Sequence, residues 1–153
     1  MGQYHFVVNL DKKEFIHPHK LGTGLKLWEQ LANSPGTGAA LIVLLASASN
    51  GQGGGDLRTE SDIIGSWRGC KIAMVGDYDD DSIYYVSNPL KKMSGAQIYE
   101  ACSSGQWSDV SDVVCAVIEK ELSGKYCGGG WRTFEPIESE QDRALKKALG
   151  VPS

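Results

Sequence analysis

The chain has 153 residues, of which 41% are apolar and 22% charged, which suits a single folded domain over 1–153 and excludes a disordered chain. Its net charge is −4, and Lys and Arg never form a run longer than a pair. The composition therefore disfavours a nucleic-acid partner, because phosphates would require a basic surface.

No export signal or membrane span is evident in the sequence. The first residues lack the basic and apolar regions of a secretory signal, and the most apolar run, 39–48, has about half of the roughly 20 residues that a span requires. The four cysteines form no Cys-x-x-Cys pair, which favours free thiols in a reducing compartment. We expect a cytoplasmic protein with no membrane partner, no metal and no cofactor.

The N-terminal residues predict a β-hairpin. Apolar and polar residues alternate over 4–10, which is typical of a strand with one buried face, here Tyr4, Phe6, Val8 and Leu10. Residues 11–13 form a predicted turn and 14–17 the returning strand. Pro18 ends that strand because it cannot donate a ladder hydrogen bond.

Two helices are predicted next. Apolar residues at helical spacing predict the first over 23–33, which Pro35 and Gly36 follow as breakers. The second, over 38–49, is apolar nearly all round, which indicates a buried helix with Leu44 in the core.

The middle of the chain predicts a second hairpin and the longest amphipathic helix. The β-rich stretches 67–77 and 82–88 flank an acidic turn. Apolar residues recur at helical spacing over 109–122, and the stripe includes Val113 and Val117, which we expect to be buried.

These elements predict the fold class α+β. We expect an antiparallel sheet of two β-hairpins packed on the buried helix 38–49 and the amphipathic helix 109–122. The polar C-terminal segment, 127–153, is expected to be peripheral, with a short helix at 139–149 whose charges match the helix dipole.

Several stretches carry a family resemblance. The opening residues, MGQYHFVVNLDKKEFIHPHKLGTGLKL, resemble a family of small bacterial and bacteriophage proteins that begin MGQYY and continue with a VNLDKKEY hairpin and PHKFGDGLKL. The resemblance extends to LLASASNGQGGGDL and IIGSWRGCKIAMVGDYDD and covers the first half of the chain best. It implies a bacterial or phage origin and a cytoplasmic setting, and it implies no particular activity.

The candidates for a catalytic site are His5, His17 and His19, together with Asp77. Neutral imidazole is the commonest zinc ligand, and three convergent imidazoles leave one coordination position open. Their convergence depends on the first hairpin: a three-residue loop sets His5 opposite His19 and places all three on one face. A two-residue loop sets His5 opposite Pro18 and spoils the cluster. The alternative interpretation is surface histidines at the end of a strand.

Two further features are candidates for ligand or ion binding. The acidic residues 77 and 79–81 could coordinate a hard cation, but they lack the Gly and Glu of a calcium loop, which favours a solvated hairpin turn. The weak candidates for ligand contacts are Gly53, Gly54, Gly55 and Lys20. The glycines follow a predicted helix rather than a strand, which favours a connecting loop over a phosphate site.

Two functional hypotheses follow. The first is a small cytoplasmic non-enzymatic binding or inhibitor protein, encoded by a phage or mobile element, that acts on a host macromolecule; its partner would be another protein or a second copy of this chain. The second is a small metal-dependent hydrolase or nucleotide-handling enzyme that uses the His5, His17 and His19 cluster. We favour the first, because the sequence contains no catalytic motif.

Overall fold

A computed structural model describes residues 3–31, 36–47, 57–122 and 147–150. Two short 3-10 helices, Pro18–Leu21 and Trp28–Leu31, lie between the first hairpin and the first α-helix. The strands are β1 (His5–Asn9), β2 (Glu14–Ile16), β3 (Ile72–Gly76), β4 (Ile83–Val86), β5 (Lys91–Ser94) and β6 (Ser108–Asp109). The α-helices are α1 (Gly36–Leu45), α2 (Gly95–Ser103) and α3 (Ser111–Glu121).

The strands form a four-stranded sheet and a separate hairpin, which confirms the α+β class. The larger sheet has the order β3-β1-β2-β6, with β1 antiparallel to both neighbours and β6 parallel to β2. Strands β4 and β5 pair antiparallel with each other. The predicted first hairpin is β1–β2.

Strand β1 is buried on both faces, although its alternation predicted only one buried face. Phe6 and Val8 pack with residues of α2 and β4, in what we call the α2 core (Phe6, Val8, Leu10, Phe15, Val75, Val86, Ile98, Ala101, Cys102 and Trp107). Val7 packs on the other side with α1 and α3, in the α1–α3 core (Val7, Ile16, Leu21, Ala40, Val43, Leu44, Trp67, Val110, Val114, Val117 and Ile118). The face expected to meet solvent is covered by helices.

The acidic segment 77–81 is not the tip of a hairpin, because the strands on either side belong to different sheets. Strand β3 pairs with β1, and β4 pairs with β5. Asp79 stabilises the connection: its carboxylate accepts a hydrogen bond from the Ser82 N–H at 3.0 Å, and its carbonyl accepts one from the Ala96 N–H at 2.8 Å. The predicted pairing of 67–77 with 82–88 is therefore wrong, since the second hairpin is β4–β5.

Helices α1 and α3 confirm two predicted helices within a few residues. Leu44 and Val117 are buried as predicted. Val113 is 52% exposed, so its predicted burial is wrong. The buried face of α3 consists of Ser111, Val114, Val117, Ile118 and Glu121, and Val113 lies beside that face rather than on it.

The predicted helix over 23–33 does not form among its described residues, where only Trp28–Leu31 is helical, as a 3-10 turn. Contacts with β1 draw this segment into an extended form: the His5 N–H donates to the Leu25 carbonyl at 2.8 Å, and Tyr4 and Lys26 form an antiparallel bridge. Trp28, one of the apolar residues that gave the helical spacing, is 77% exposed.

Helix α2 was missed by the apolar pattern but has a clear N-terminal signal. The Ser94 hydroxyl accepts a hydrogen bond from the Gln97 N–H at 3.2 Å, and the Gln97 side chain accepts one from the Ser94 N–H at 2.9 Å. This reciprocal pair is a capping box, which the spacing Ser-x-x-Gln encodes.

Some predictions lie outside the described residues: most of the helix at 139–149, most of the segment 127–153 and the residues 50–56. Of the helices that the structure describes, none has the length and apolar character needed to traverse a bilayer. Cys70, Cys102 and Cys115 are unpaired thiols.

Truncation at two valines of α3 tests the orientation of this helix. We expect Val117→Ala to lower the free energy of unfolding by about 1–3 kcal/mol, because it removes buried methyl groups and leaves a cavity. The matched control Val113→Ala should change stability by less than about 0.5 kcal/mol, because that side chain is half exposed. Urea unfolding of both variants measures the difference, and equal losses would show that the helix is rotated.

Candidate functional site

A groove of about 710 Å³ opens beside the β6 edge of the larger sheet. This volume is in the range of natural ligand sites, roughly 300–1,000 Å³. The groove is lined by Phe6, Phe15, His17, Lys20, Tyr99, Cys102, Ser103, Gly105, Trp107, Ser108 and Asp109. These residues come from β1, β2 and the 3-10 helix that follows, and from α2 through β6.

The floor of the groove consists of packed aromatic rings. The rings of Phe6 and Tyr99 are stacked, with centroids 4.4 Å apart and planes at 5°. Phe15 and His17 each lie 5.1 Å from Phe6 by ring centroids. Phe6, Phe15 and Trp107 are all nearly fully buried, so neighbouring side chains hold these rings in place.

His17 is held as a neutral imidazole with a defined tautomer. Its Nδ1 accepts a hydrogen bond from the His19 N–H at 3.3 Å, so the proton of the neutral ring is on Nε2. Its own backbone N–H donates to the Ser111 hydroxyl at 2.6 Å. Burial lowers the pKa of His17 below its usual 6.5; repulsion from His19 and Lys20 lowers it further, and only the Asp109 charge opposes this. The ring is therefore a hydrogen-bond donor at neutral pH.

An ion pair lies at the rim of the groove. Lys20 Nζ is 2.8 Å from Asp109 Oδ2 and 3.7 Å from Asp112 Oδ2. Burial acts to raise the pKa of Asp109, but hydrogen bonds from Lys20 and from the Ser111 N–H, the latter at 2.9 Å, hold it below its usual value. The hydrogen bond with Asp109 raises the pKa of Lys20, so both partners stay charged over a wide pH range.

Burial makes poor nucleophiles of Cys102, which lines the groove, and of Cys115 in α3. Burial, together with the Asp109 charge, raises the pKa of Cys102 to about 12. Burial also raises the pKa of Cys115, whose thiol donates to the Lys20 carbonyl at 3.2 Å. A nucleophilic cysteine must be a thiolate, and both thiols are protonated at neutral pH. In the part of the chain that the structure describes, no hydroxyl or thiol is hydrogen-bonded to an imidazole ring.

The predicted face of three imidazoles does not form. In the observed register, Val7 lies opposite Ile16 and Asn9 opposite Glu14. Continued along the strands, this register aligns His5 with Pro18 and not with His19, which is the second of the two pairings that the sequence allowed. Strand alternation then puts the His5 side chain on the face of Val7, whereas the His17 ring contacts Phe6 on the other face. His17 and His19 remain neighbours, with ring centroids 5.4 Å apart.

The reason for this register is the turn of the first hairpin. The buried Asn9 side chain accepts hydrogen bonds from the N–H groups of Asp11 and Lys12, at 3.0 and 2.9 Å. Lys13 takes a left-handed conformation with φ of 55°. Asn9 and Glu14 are thus the last paired residues, and the loop between them is longer than the three-residue loop that would have aligned His5 with His19.

The other predicted site residues are scattered. Asp77 accepts a hydrogen bond from the Tyr4 N–H at 2.9 Å and closes the end of the β1–β3 pair, and after burial its charge is a further cause of the raised pKa of Tyr99. Lys20 does reach the groove. Gly53, Gly54 and Gly55 lie outside the described residues. Across the ranges that the structure describes, no three His, Cys, Asp or Glu residues are grouped to hold a metal ion.

The site residues predicted from the sequence do not include the half of the groove that α2 and β6 supply, namely Tyr99, Trp107, Ser108 and Asp109. One local signal was present: Asp109 precedes the helix at 111–121, where a carboxylate stabilises the first N–H groups. The pairing of Asp109 with Lys20 has no local signal, because the two residues are distant in sequence.

The comparisons with known proteins identify no relative: no family model, no curated protein and no solved structure matches the chain. The resemblance to small bacterial and bacteriophage proteins therefore stays a prediction.

Protonation of His17 should destabilise the fold. The unfolded chain takes up this proton near pH 6.5, whereas the folded chain takes it up at lower pH, so the unfolded state binds more protons in that window. The free energy of unfolding of the wild type should therefore be highest above about pH 6.5 and fall as the pH drops from there to the lowered pKa of His17. In His17→Gln this pH dependence should be absent. Urea melts of both proteins across the window, with an NMR titration of the imidazole, measure it; a His17 pKa at or above 6.5 would contradict the assignment.

Proposed function

We propose that the protein is a non-enzymatic binding protein that receives part of another protein in the groove. The observation that carries this proposal is the groove itself, in which packed aromatic rings lie beside the Lys20–Asp109 ion pair, and the direction of the pKa shifts there supports it. The pKa is lowered at His17 and Asp109 and raised at Lys20, Tyr99 and Cys102. Each group is thereby fixed more firmly in the charge state that it already has at pH 7.

Fixed charge states favour binding over proton transfer. A general acid or base works best when its pKa is close to the working pH, and functional sites usually shift pKa values in that direction. Here the shifts go the opposite way, so the groove offers constant hydrogen-bond donors and a constant ion pair. Such groups orient a ligand without changing their own charge.

The shape and chemistry of the groove indicate the kind of group that fits. The partly exposed Tyr99 ring, backed by the buried rings of Phe6, Phe15 and Trp107, provides an apolar floor, and planar side chains are common anchors of protein interfaces. The His17 Nε2–H and the Ser108 hydroxyl provide donors at the margin. We propose that an aromatic side chain of the partner lies on the floor, with backbone carbonyls of its own segment meeting these donors.

The proposed setting is the bacterial cytoplasm, with a host protein as the partner. The unpaired thiols Cys70, Cys102 and Cys115 support a reducing compartment. The resemblance to small bacterial and bacteriophage proteins supports a phage or mobile element as the source. The enzyme hypothesis required His5, His17, His19 and Asp77 to converge, and no observation in the structure now favours it.

A tryptophan placed in the groove tests this function. Ser103 is exposed at the end of α2 and lines the groove, where its side chain hydrogen-bonds to Tyr99, so Ser103→Trp should replace that contact and fill the groove. Gln106 is exposed nearby but is not part of the lining, which makes Gln106→Trp the matched control. We expect a protein captured from bacterial lysate by the wild type and by Gln106→Trp to be lost with Ser103→Trp, with affinity for the purified partner reduced at least about tenfold in calorimetry.

Circular dichroism and thermal melts must show that both variants are folded. Equal capture by all three proteins would place the binding surface elsewhere. Turnover of a substrate that depends on His17 would replace the binding proposal with an enzymatic one.

A further inference from the structure

Strand β3 forms one edge of the larger sheet, and no strand within the described residues pairs with its outer side. The Leu10 N–H donates to the Lys71 carbonyl at 2.9 Å and the Asp77 N–H to the Tyr4 carbonyl at 3.0 Å, so 71, 73, 75 and 77 direct their backbone groups toward β1. Ile72 and Met74 therefore direct theirs outward. No residue in the described ranges hydrogen-bonds to the outward N–H or carbonyl of either one.

This edge lacks the features that usually prevent strand-to-strand association. Edge strands are commonly protected by Lys, Pro, a bulge or an inward-pointing charge. Residues 72–76 read Ile-Ala-Met-Val-Gly, without a charge or a proline. Ile72 and Met74, which share one face of the strand, are 37% and 36% exposed.

The charges on either side of β3 indicate what binds there. Lys71 precedes the strand, and Asp77 follows it, with Asp79, Asp80 and Asp81 beyond. When two copies of β3 lie side by side and antiparallel, the positive end of one strand meets the negative end of the other. The charges around β3 are therefore complementary to those of a second, antiparallel β3. A second copy of the same chain supplies that pattern.

We propose that two copies of the chain form a symmetric dimer by antiparallel pairing of their β3 strands about Met74. Met74 directs its N–H and carbonyl outward, so the two Met74 residues exchange both hydrogen bonds across the twofold axis. Ile72 then faces Gly76 of the second copy, and Lys71 faces Asp77 of the second copy. The exposed Ile72 and Met74 side chains of both copies come together on one face of a continuous sheet.

The dimer has modest affinity and leaves the groove open. An interface built mainly from one edge strand is small, in the class of weak complexes, so we expect a dissociation constant on the order of 10 µM. The groove opens on the face of the sheet that carries Phe6 and Phe15, whereas Ile72 and Met74 lie on the face that carries Val7. The dimer and the groove therefore use different surfaces, and either proposal can fail without the other.

Sedimentation equilibrium over a range of protein concentrations tests the dimer. We expect the wild type to pass from monomer to dimer, and Met74→Lys to weaken association by about 100-fold or more, because two like charges would meet at the axis. Ile83→Lys makes the same change at an exposed strand position outside β3 and should associate like the wild type. A wild type that is monomeric throughout, or an undiminished dimer with Met74→Lys, would overturn the proposal.

Amide hydrogen exchange in the wild type identifies the edge directly and does not depend on a variant folding. The Ile72 and Met74 amides should exchange quickly in dilute protein and slow down as the concentration rises. The Ala73 and Val75 amides, which are bonded to β1, should be protected at every concentration. A dimer in which Ile72 and Met74 gain no protection would exclude β3 as its interface.

Discussion

The position of β1, in the middle of the sheet and covered on both faces, is the constraint on which the other features depend. Phe6 and Val8 belong to one core and Val7 to the other, so the strand must be apolar along most of its length. Asn9, one of the two polar residues of the strand, is fully buried, and its side-chain oxygen accepts two backbone hydrogen bonds that shape the following turn. That turn sets the register of β2, and β2 in turn positions His17 at the groove.

Local patterns predicted local structure, and the failures came from contacts between distant segments. The first hairpin and the helices α1 and α3 follow from periodicity, and the Ser94–Gln97 capping box could have predicted α2. Periodicity does not reveal whether the second face of a strand is covered, which is why Val7 was placed at the surface. It also does not choose between β1 and β4 as the partner of β3. Of the groove, the sequence identified His17 and Lys20, which are close in the chain, and missed the side that comes from α2 and β6.

The polar groups of the groove are fixed by the same contacts that hold the fold together. Asp109 accepts a hydrogen bond from the first turn of α3 and pairs with Lys20, while His17 accepts the His19 N–H at the start of a 3-10 helix. These side chains therefore have little freedom to lose when a ligand arrives. Rigid, preformed contacts reduce the entropic cost of association, which favours tight binding by a small surface.

The parallel pairing of β2 with β6 has a consequence for the rate of folding. It joins Phe15 to Asp109 and is extended by the hydrogen bond from the His17 N–H to Ser111, across 94 positions of the chain. Closing so long a loop costs entropy before any contact compensates for it, and topologies rich in such contacts fold slowly. The antiparallel hairpins involve much shorter loops and can form earlier. We therefore expect the contact that completes the groove to form late, in which case a ligand of the kind proposed would select fully folded chains and stabilise them by mass action.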